Sequence, residues 1–376
     1  MENNSTPQLR LGIIGAGGFA AFAIPHLLAS QSIVIDAVSD VDTARSQHLA
    51  DQYGARNLPI DLLLESDGID IVYIASPPSS HAPLAARALQ AGKHVLCEKP
   101  LATNVEDADE IVFLSKEQHR FAVANLLQRY NPLVIAVAKV IHTGALGAPI
   151  HATLENWASD ENLPLAHWFW DPQQSGGIFV EHGVHFFDLF ASWFGPGTLV
   201  SSERAERRPS GVEEQVRCTV SYPGGVLATM YHAFLQPARL ERTQIQILFE
   251  RGSITLNGWI PTSFRLEGLV DDETEAQCYA LFTDSRIERA DDISALATGA
   301  RHQVFAVTKH LVLVGGDEHP NTKEERYGDL VHRLFTDQLA WVRDATHVRL
   351  VDEALSRDAV VLACAASTMA NTIEET

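Results

Sequence analysis

Short apolar segments alternate with amphipathic ones over the first 125 residues of the chain. The apolar segments are rich in Val, Ile and Leu, as is typical of strands that are buried on both faces of a parallel sheet. Five strands are predicted, at 9–14, 33–39, 69–75, 94–97 and 121–124, and four helices, at about 18–30, 43–53, 80–91 and 104–118. This alternation predicts an α/β unit with a doubly wound parallel sheet of the Rossmann type.

Beyond about residue 150 the pattern changes to longer strand-like segments separated by turn residues. A helix is predicted at 181–194, and strands are predicted at 212–222, 226–234, 244–249 and 263–266. The turn sequences PGG at 223–225 and RG at 251–252 are typical of connections between antiparallel strands. The pattern predicts a C-terminal α+β domain with a large open, mainly antiparallel sheet.

The change of pattern divides the 376 residues into two predicted domains, 1–128 and 129–376. A chain of this length is expected to form more than one core, since single cores rarely grow past about 250–300 residues. The acidic segment 271–275 and the region to about 320 have no clear period and are interpreted as an insertion with loops. Amphipathic helices at about 325–345 and 352–373 end the chain, and the second is a candidate to pack back on the first domain.

Composition and charge exclude several classes of protein. The formal net charge is −20 and no basic cluster is present, which argues against a nucleic-acid partner. No apolar run reaches the eighteen or so residues of a membrane span, and residues 1–10 lack the hydrophobic core of an export signal. The four cysteines are widely scattered without CxxC spacing, which favours reduced thiols. We therefore expect a cytoplasmic protein.

A glycine-rich turn follows the first predicted strand and opens the first helix. Residues 15–20 (GAGGFA) match the pattern GxGxx(G/A) of a dinucleotide-binding turn. The first glycine permits the tight turn, the second lets the backbone approach a pyrophosphate, and the last small residue allows the helix to pack closely on the strand. The helix N-terminus supplies N–H donors to the phosphates. The candidate cofactor-binding residues here are Gly15, Gly17, Gly18, Phe19 and Ala20.

The acidic residue Asp40 ends the second predicted strand, twenty positions beyond Ala20. Its carboxylate is placed to accept hydrogen bonds from an adenosine ribose and would repel a 2′-phosphate, so NAD is favoured over NADP as the cofactor. The alternative is a purely structural glycine turn, with Asp40 acting only as the cap of the next helix.

Two further strand ends carry candidate residues. Ser76 and Pro77 follow the third strand and are expected beside the nicotinamide half of the cofactor. His81 begins the next helix, where it either reaches the ribose or phosphates or is a surface residue. Lys99, within the sequence CEKP at 97–100, follows the fourth strand, and ligands bind at the carboxyl ends of strands in such sheets. Lys99 is therefore a candidate for chemistry.

A helix-patterned segment in the second predicted domain carries a carboxylate and an imidazole on one face. Within residues 176–188 (GGIFVEHGVHFFD), Glu181 and His185 are spaced i and i+4. This arrangement suits proton transfer, with His185 as general base and Glu181 positioning the same hydroxyl. One alternative is a pair of core residues. Another is a metal site with His182, but the HExxH spacing is absent, and we expect no metal.

Taken together, these motifs resemble the Gfo/Idh/MocA (glucose–fructose oxidoreductase/inositol dehydrogenase) family over nearly the whole chain. The resemblance is carried by residues 15–20, 76–81, 92–100, 125 with 129–132, and 176–188. It implies that Lys99 hydrogen-bonds a reacting hydroxyl and that His185 removes its proton as hydride passes to the nicotinamide. It also makes Glu98, Lys99 and Asn125 candidate cofactor-binding residues.

Two positions depart from the family pattern. The family usually has aspartate at the position of Glu181, and glutamate keeps the charge but adds a methylene. His182 stands where an apolar residue is usual, which makes it a candidate substrate contact. Both departures bear on the identity of the substrate.

Aromatic and polar residues near the second glycine turn suit a polyhydroxylated ring. Trp168 and Trp170 are equally compatible with a place in the core. No basic cluster indicates a phosphorylated substrate, although Arg129 or Arg239 would suit a carboxylate. The substrate-binding candidates are Lys99, Arg129, Trp157, His167, Trp170, Glu181, His182 and His185, with Asn156, Trp168 and Asp171 nearby.

The sequence thus predicts an NAD-dependent oxidoreductase that acts on a secondary hydroxyl of a sugar, sugar acid or cyclitol. Two alternatives remain: NAD-assisted cleavage of a glycoside, and a non-catalytic regulator that binds a dinucleotide. The presence of both Lys99 and His185 argues against the second. An open sheet needs cover, and the resemblance also implies a homo-oligomer, either a dimer or a tetramer.

Overall fold

The first sheet of the protein consists of six parallel strands in the order β3-β2-β1-β4-β5-β6. The computed structural model describes residues 8–205, 212–293, 297–298 and 304–372. The strands are β1 (Leu9–Ile14), β2 (Ile33–Ser39), β3 (Arg56–Asn57), β4 (Ile71–Ile74), β5 (His94–Cys97) and β6 (Ala122–Ala124). This strand order is that of a doubly wound dinucleotide-binding sheet, and it confirms the predicted fold class of the N-terminal part.

Five helices connect these strands: α1 (Gly18–Leu28), α2 (Thr43–Tyr53), α3 (Ile60–Glu65), α4 (His81–Gln90) and α5 (Val105–Gln118). Local signals define where they begin. Asp42 accepts hydrogen bonds from two N–H groups in the first turn of α2, and Asn104 accepts one in the first turn of α5. The central strands are largely buried, with all four residues of β4 inaccessible to solvent, as expected when helices cover both faces.

The second sheet has ten strands and is mixed, with mostly antiparallel pairs. A separate two-stranded sheet consists of β15 (Ala297–Thr298) and β16 (Val304–Phe305). The strands of the ten-stranded sheet are β7 (Pro149–Trp157), β8 (Thr198–Ala205), β9 (Gln215–Tyr222), β10 (Val226–Ala233), β11 (Arg242–Phe249), β12 (Gly252–Asn257), β13 (Ser263–Val270), β14 (Ser285–Asp292), β17 (Lys309–Gly316) and β18 (Asn371–Thr372). The order is β14-β17-β13-β12-β11-β7-β10-β9-β8-β18, and β15 pairs with β16 in the separate sheet. The β7–β10 and β8–β18 pairs are parallel.

One face of this second sheet is buried and the other is open. On β7, Ala152 and Leu154 are fully buried, whereas their neighbours along the strand are accessible. On the open face, Leu227 and Leu248 both lie opposite His151 and are 47% and 46% exposed. The predicted α+β domain with a large open sheet is therefore confirmed.

Several elements of the second sheet were not evident from the sequence. β7, β8 and β12 were not predicted. β7 and β12 do alternate between buried and accessible residues, whereas β8 has no regular alternation in its sequence. The interpretation of the region 271–320 as loops was wrong, because it contains α9 (Asp272–Leu281) and the strands β14 and β17. Residues 294–296 and 299–303 of that region lie outside the described residues.

The remaining helices are α6 (Pro132–Thr143), α7 (Pro172–Ser175), α8 (Val184–Phe194), α10 (Pro320–Arg343) and α11 (Glu353–Met369). A π-helical turn at Phe179–Gly183 precedes α8, so the helix predicted at 181–194 begins in a wider turn than expected. Single π-turns inside helices are rare and occur frequently at functional sites. Among the described residues, no helix is long and apolar enough to cross a membrane.

The last helix supplies hydrogen-bond acceptors to the edge strand of the first sheet. The Glu353 carboxylate accepts from the backbone N–H of Ala122 at 3.1 Å, and the Ser356 hydroxyl accepts from that of Ala124 at 3.1 Å. Arg349 donates two hydrogen bonds to the Glu353 carboxylate, each 2.8 Å long. The helix therefore satisfies N–H groups that an edge strand leaves unpaired.

The two compact units are discontinuous in sequence, unlike the single boundary predicted between residues 128 and 129. The first contains the chain up to Leu127 together with Ala166–Asp188 and Gly328–Ser367, and the second contains Gln128–Leu165, Leu189–Tyr327 and the chain from Thr368 onward. Residues 166–188 carry the predicted catalytic helix, which thus belongs to the same unit as the parallel sheet. Residue 373, the predicted end of the last helix, lies outside the described residues.

Candidate active site

The turn between β1 and α1 has the geometry that phosphate binding requires. Gly15 has a φ of +98°, and a Cβ there would lie 2.5 Å from the carbonyl oxygen of Ala75, so a larger residue does not fit. A Cβ on Gly17 or Gly18 would meet no atom within 4 Å, which means that the space in front of the helix is open. Gly17 is the N-cap of α1, and no side chain caps it. The first-turn N–H groups therefore fit the pyrophosphate of a dinucleotide.

Phe19 and Ala20 occupy the first turn of the same helix. Ala20 is fully buried, consistent with close packing of the helix. Phe19 is half-buried and its ring centroid lies 5.7 Å from that of Phe22.

The Asp40 carboxylate joins the glycine-rich turn to the segment after β2. It accepts hydrogen bonds from the backbone N–H of Ala16 at 2.6 Å and from that of Asp42 at 2.7 Å. Each carboxylate oxygen can accept more than one hydrogen bond, so these contacts orient the group and leave acceptor capacity for a ribose. Asp40 thus combines a structural contact with the position expected of a ribose ligand.

His81 connects the segments that follow β4 and β5. Its ring is 1% exposed. Nδ1 lies 2.7 Å from the carbonyl oxygen of Pro100, and Nε2 lies 2.7 Å from that of Ser76. The structure therefore gives both ring nitrogens main-chain partners, and the buried ring is not the surface residue that was one of the two predicted alternatives. Burial lowers the pKa of His81, so the ring is neutral at pH 7.

The other residues after β4 form a short 3₁₀ helix, Pro78–Ser80. The hydroxyls of Ser76 and Ser80 lie 2.6 Å apart. Pro77 is the N-cap of this turn, which contacts α7. α7, which precedes the π-helical turn in the chain, therefore lies beside the segment that follows β4.

Lys99 and Glu181 form a largely buried ion pair. The ammonium of Lys99, after β5, donates to the Glu181 carboxylate and also to its carbonyl oxygen, the latter at 2.7 Å. The two side chains are 17% and 9% exposed. Glu181 lies in the π-helical turn, which directs both its side chain and its main-chain oxygen to the same ammonium. An ammonium has three N–H donors, so one remains for a reacting oxygen.

His185 lies in the first turn of α8 and is 2% exposed. Burial is the main cause that lowers the pKa of His185 well below its usual value, and the positive charge of Lys99 lowers it further. The imidazole is therefore neutral at pH 7 and able to accept a proton. The structure brings Lys99, Glu181 and His185 together as the sequence predicts.

The other polar residues of this segment are placed differently. His182 is half-buried, and its ring centroid lies 6.0 Å from that of Phe186. Asp188 is 2% exposed. No group of three His, Cys, Asp or Glu residues suited to a metal ion is present among the described residues.

Glu98 is the centre of a second buried polar group, one residue before Lys99. Its Oε1 accepts from the Tyr73 hydroxyl at 2.7 Å and from Nδ2 of Asn125 at 3.1 Å. Burial raises the pKa of Glu98 to about 7, although these hydrogen bonds oppose the shift. Sequence reasoning missed Tyr73, whose only signal was a hydroxyl within an otherwise apolar strand.

The aromatic segment before α7 also belongs to the first unit. His167 caps the 3₁₀ helix Trp168–Trp170 by accepting the N–H of Phe169 on Nδ1 at 3.3 Å. The rings of Phe169 and Trp170 meet edge to face with centroids 4.7 Å apart. Asp171 caps α7. Neither Trp168 nor Trp170 is fully buried.

Other predicted substrate residues lie in the second unit. Trp157 is on the open face of the sheet, where its Nε1 donates to Glu155 at 3.0 Å and the Arg242 guanidinium lies 5.5 Å from its ring. It borders a cavity of about 350 Å³. Asn156 is on the buried face and accepts from the Thr243 hydroxyl at 2.8 Å. Arg129 and Arg239 lie in the 3₁₀ helices Leu127–Tyr130 and Ala238–Leu240.

Comparison with known proteins identifies the family. Residues 9–125 match an oxidoreductase family with an NAD-binding Rossmann fold, and residues 134–255 match the GFO/IDH/MocA C-terminal domain. Inositol 2-dehydrogenase of Rubrobacter xylanophilus is 35% identical over 293 residues, which cover 69% of this chain and 84% of that relative. The chain belongs to the Gfo/Idh/MocA family.

Solved structures of this family share the fold. A 3-ketoreductase from Actinomadura kijaniata, in complex with NADP and TDP-benzene, has a TM-score of 0.73 at 19% identity and covers 97% of this chain and 99% of its own. The WlbA dehydrogenase of Bordetella pertussis, in complex with NADH and UDP-GlcNAcA, has a TM-score of 0.73 at 19% identity over 96% of each chain. The protein is thus an NAD(P)-dependent dehydrogenase of the Gfo/Idh/MocA family.

The pKa of Glu98 predicts a pH dependence of stability. A carboxyl whose pKa rises from 4.5 to about 7 on folding stabilises the native state fully below pH 4.5, and that contribution is lost as the pH rises to 7. At about 1.4 kcal/mol per unit, the loss is on the order of 3 kcal/mol. Glu98→Gln should remove it, as measured by urea unfolding at pH 4.5 and pH 7.5.

Tyr73→Phe provides the companion measurement. The Tyr73 hydrogen bond lowers the pKa of Glu98, so its loss should raise that pKa. The free energy of unfolding should then continue to fall up to a higher pH than in the wild type. An equal change in the free energy of unfolding between pH 4.5 and pH 7.5 in the wild type and in Glu98→Gln would contradict the raised pKa of Glu98.

Proposed function

We propose that the protein is an NAD-dependent dehydrogenase that oxidises a secondary hydroxyl of a sugar, sugar acid or cyclitol. The observation that carries this proposal is the buried arrangement of Lys99, Glu181 and His185 at the carboxyl end of β5. Support for the substrate class comes from the inositol 2-dehydrogenase relative, at 35% identity. The aromatic segment 167–170 suits the apolar faces of such a ring.

The cofactor would be held by the α1 N-terminus and Asp40 at one end and by the residues after β4, β5 and β6 at the other. When bound, NAD supplies an acceptor for the hydride that leaves the substrate carbon. Lys99 donates its remaining N–H to the hydroxyl oxygen and stabilises the negative charge that develops there. His185, as the neutral imidazole, accepts the hydroxyl proton. Glu181 holds the ammonium in place, and the products are a ketone and the reduced cofactor.

Lys99→Met tests the catalytic assignment. The substitution keeps the length of the side chain but removes the donor, so turnover should fall by about 10³-fold or more while the Kd for NAD changes little. Substrate is first identified by incubating the wild type with a panel of polyols and sugars plus NAD and following NADH. Lys116→Met, on the exposed face of α5, is the matched control.

Three outcomes distinguish the functions. Unchanged turnover in Lys99→Met would contradict the role of Lys99. Release of an aglycone from a glycoside without net NADH would favour NAD-assisted glycoside cleavage. Binding of NAD without any turnover on the panel would favour a regulator.

NAD is the cofactor we propose, because the Asp40 carboxylate lies beside the glycine-rich turn. The charge would repel the 2′-phosphate of NADP, whereas its lone pairs can accept from a free ribose hydroxyl. The two solved relatives contain NADP in one case and NADH in the other, so the residue at this position in this chain carries the argument. The cytoplasm is the compartment we propose, since all four cysteines are free thiols.

Asp40→Ser tests the cofactor preference. Serine keeps an acceptor for the Ala16 N–H but removes the charge, so the ratio of kcat/KM for NADP to that for NAD should rise about tenfold or more. Asp51→Ser, on the exposed side of α2, should leave the ratio unchanged. A wild type that uses NADP as well as NAD would contradict the proposal.

We also infer that the open face of the second sheet binds a second copy of the chain. Leu227, Leu248 and Trp157 lie on that face and are 47%, 46% and 36% exposed. Exposed apolar groups on one face mark interaction sites. Arg217 and Glu155 lie on the same face, so a copy related by two-fold symmetry can place opposite charges together.

Leu227→Lys tests this interface. A lysine on this face would have to be buried in the contact, which is costly, so the substitution should shift the oligomer toward the monomer in light scattering. Val41→Lys, at a position 95% exposed in the first unit, is the control. A wild type that is monomeric at micromolar concentration would refute the inference.

A further inference from the structure

The side-chain amide of Asn125 is buried at the end of β6, and its oxygen has no hydrogen-bond partner among the described residues. The residue is 3% exposed, and its backbone N–H donates to the carbonyl oxygen of Cys97 at 2.8 Å. Nδ2 donates to the Glu98 carboxylate at 3.1 Å. Oδ1 has no hydrogen-bond partner among the residues that the structure describes. A buried acceptor without a partner is unusual in a native protein and indicates a missing donor.

Glu98 determines which way this amide faces. A carboxylate is an acceptor only, so it attracts the NH₂ end of Asn125 and repels the oxygen end. The Tyr73 hydroxyl, which comes from β4, donates to the same carboxylate oxygen at 2.7 Å and fixes its position. Tyr73 and Glu98 together therefore hold Oδ1 of Asn125 in a single orientation.

The position of Asn125 in the sheet indicates the donor. In a doubly wound sheet the two halves of a dinucleotide bind at the carboxyl ends of the two halves of the sheet. The phosphate turn after β1 and Asp40 after β2 belong to the adenosine half. Asn125 follows β6, next to Lys99 after β5, and so belongs to the nicotinamide half. The nicotinamide ring carries one N–H donor group, its carboxamide.

We propose that Oδ1 of Asn125 accepts a hydrogen bond from the nicotinamide carboxamide, and that Glu98 and Tyr73 are positioning residues that orient the Asn125 amide for this contact. The proposal rests on the proposed dinucleotide site and assigns a role to each of the three residues Asn125, Glu98 and Tyr73. A carboxamide held by a buried acceptor restrains rotation of the ring to which it is attached. The contact therefore bears on how the ring is presented to the substrate.

The test compares NAD with 3-acetylpyridine adenine dinucleotide, in which an acetyl group replaces the carboxamide and no N–H donor remains. Kd values for both dinucleotides are measured by calorimetry without substrate at pH 8.5, above the pKa of Glu98, which is about 7. The wild type should bind NAD about tenfold more tightly than the analogue. Asn125→Ala should bring this ratio close to one.

Variants of the positioning residues test the orientation argument. In Glu98→Gln the new amide can donate to Asn125, which allows the Asn125 side chain to reverse and present NH₂ to the cofactor. The ratio of the Kd for the analogue to the Kd for NAD should fall toward one, although Asn125 itself is intact. Tyr73→Phe should lower the ratio less, because the carboxylate remains. Gln90→Ala, an exposed amide on α4, is the matched control and should keep the wild-type ratio.

The outcomes separate this proposal from the proposed function. A ratio near one in the wild type, or an unchanged ratio in Asn125→Ala, overturns it even if the enzyme oxidises polyols. If Asn125→Ala binds no dinucleotide, Glu98→Gln decides, and an unchanged ratio there overturns the proposal. A preference for NAD over the analogue that is present in the wild type and lost in Asn125→Ala and Glu98→Gln supports the proposal, even if the polyol panel gives no turnover.

Discussion

The ion pair between Lys99 and Glu181 is the interaction on which the rest of the site depends. A charged group removed from water is costly unless a partner of opposite charge lies close to it, and both of these side chains are largely buried. The pair joins the end of a parallel strand to a π-helical turn 82 residues further along the chain. It therefore joins two segments that are far apart in the sequence, and the Lys99 charge also acts on the imidazole of His185.

The adjacent carboxyl group performs a separate task. Glu98 and Lys99 are neighbours in the segment after β5, and their side chains have different partners. Lys99 reaches Glu181, whereas Glu98 lies against Tyr73 and Asn125. His81 completes the arrangement from the other side, because its ring links the main chain of Ser76 to that of Pro100. The site is therefore organised by buried polar contacts among strand ends.

The parallel sheet was predictable nearly strand by strand, and the open sheet was not. Buried parallel strands such as β1, β2 and β5 are largely apolar, and each was predicted with the bounds observed. β7 lies at the centre of the second sheet and alternates between buried and accessible residues, yet it was not predicted. β14 is largely exposed, so no hydrophobic period marks it at all. The return of residues 166–188 to the first unit had no local signal either.

The sequence by itself determined which residues are candidates for chemistry. The glycine turn, Asp40, Lys99, Glu181 and His185 are recognisable because their spacing follows from a local element, a turn or one face of a helix. Only the tertiary structure decided how they are partnered. The partners of Lys99, Glu98 and His81 are between 5 and 82 residues away, and most of these contacts form only where the carboxyl ends of parallel strands meet at one edge of the sheet. Such contacts depend on strand order, which no short stretch of sequence contains.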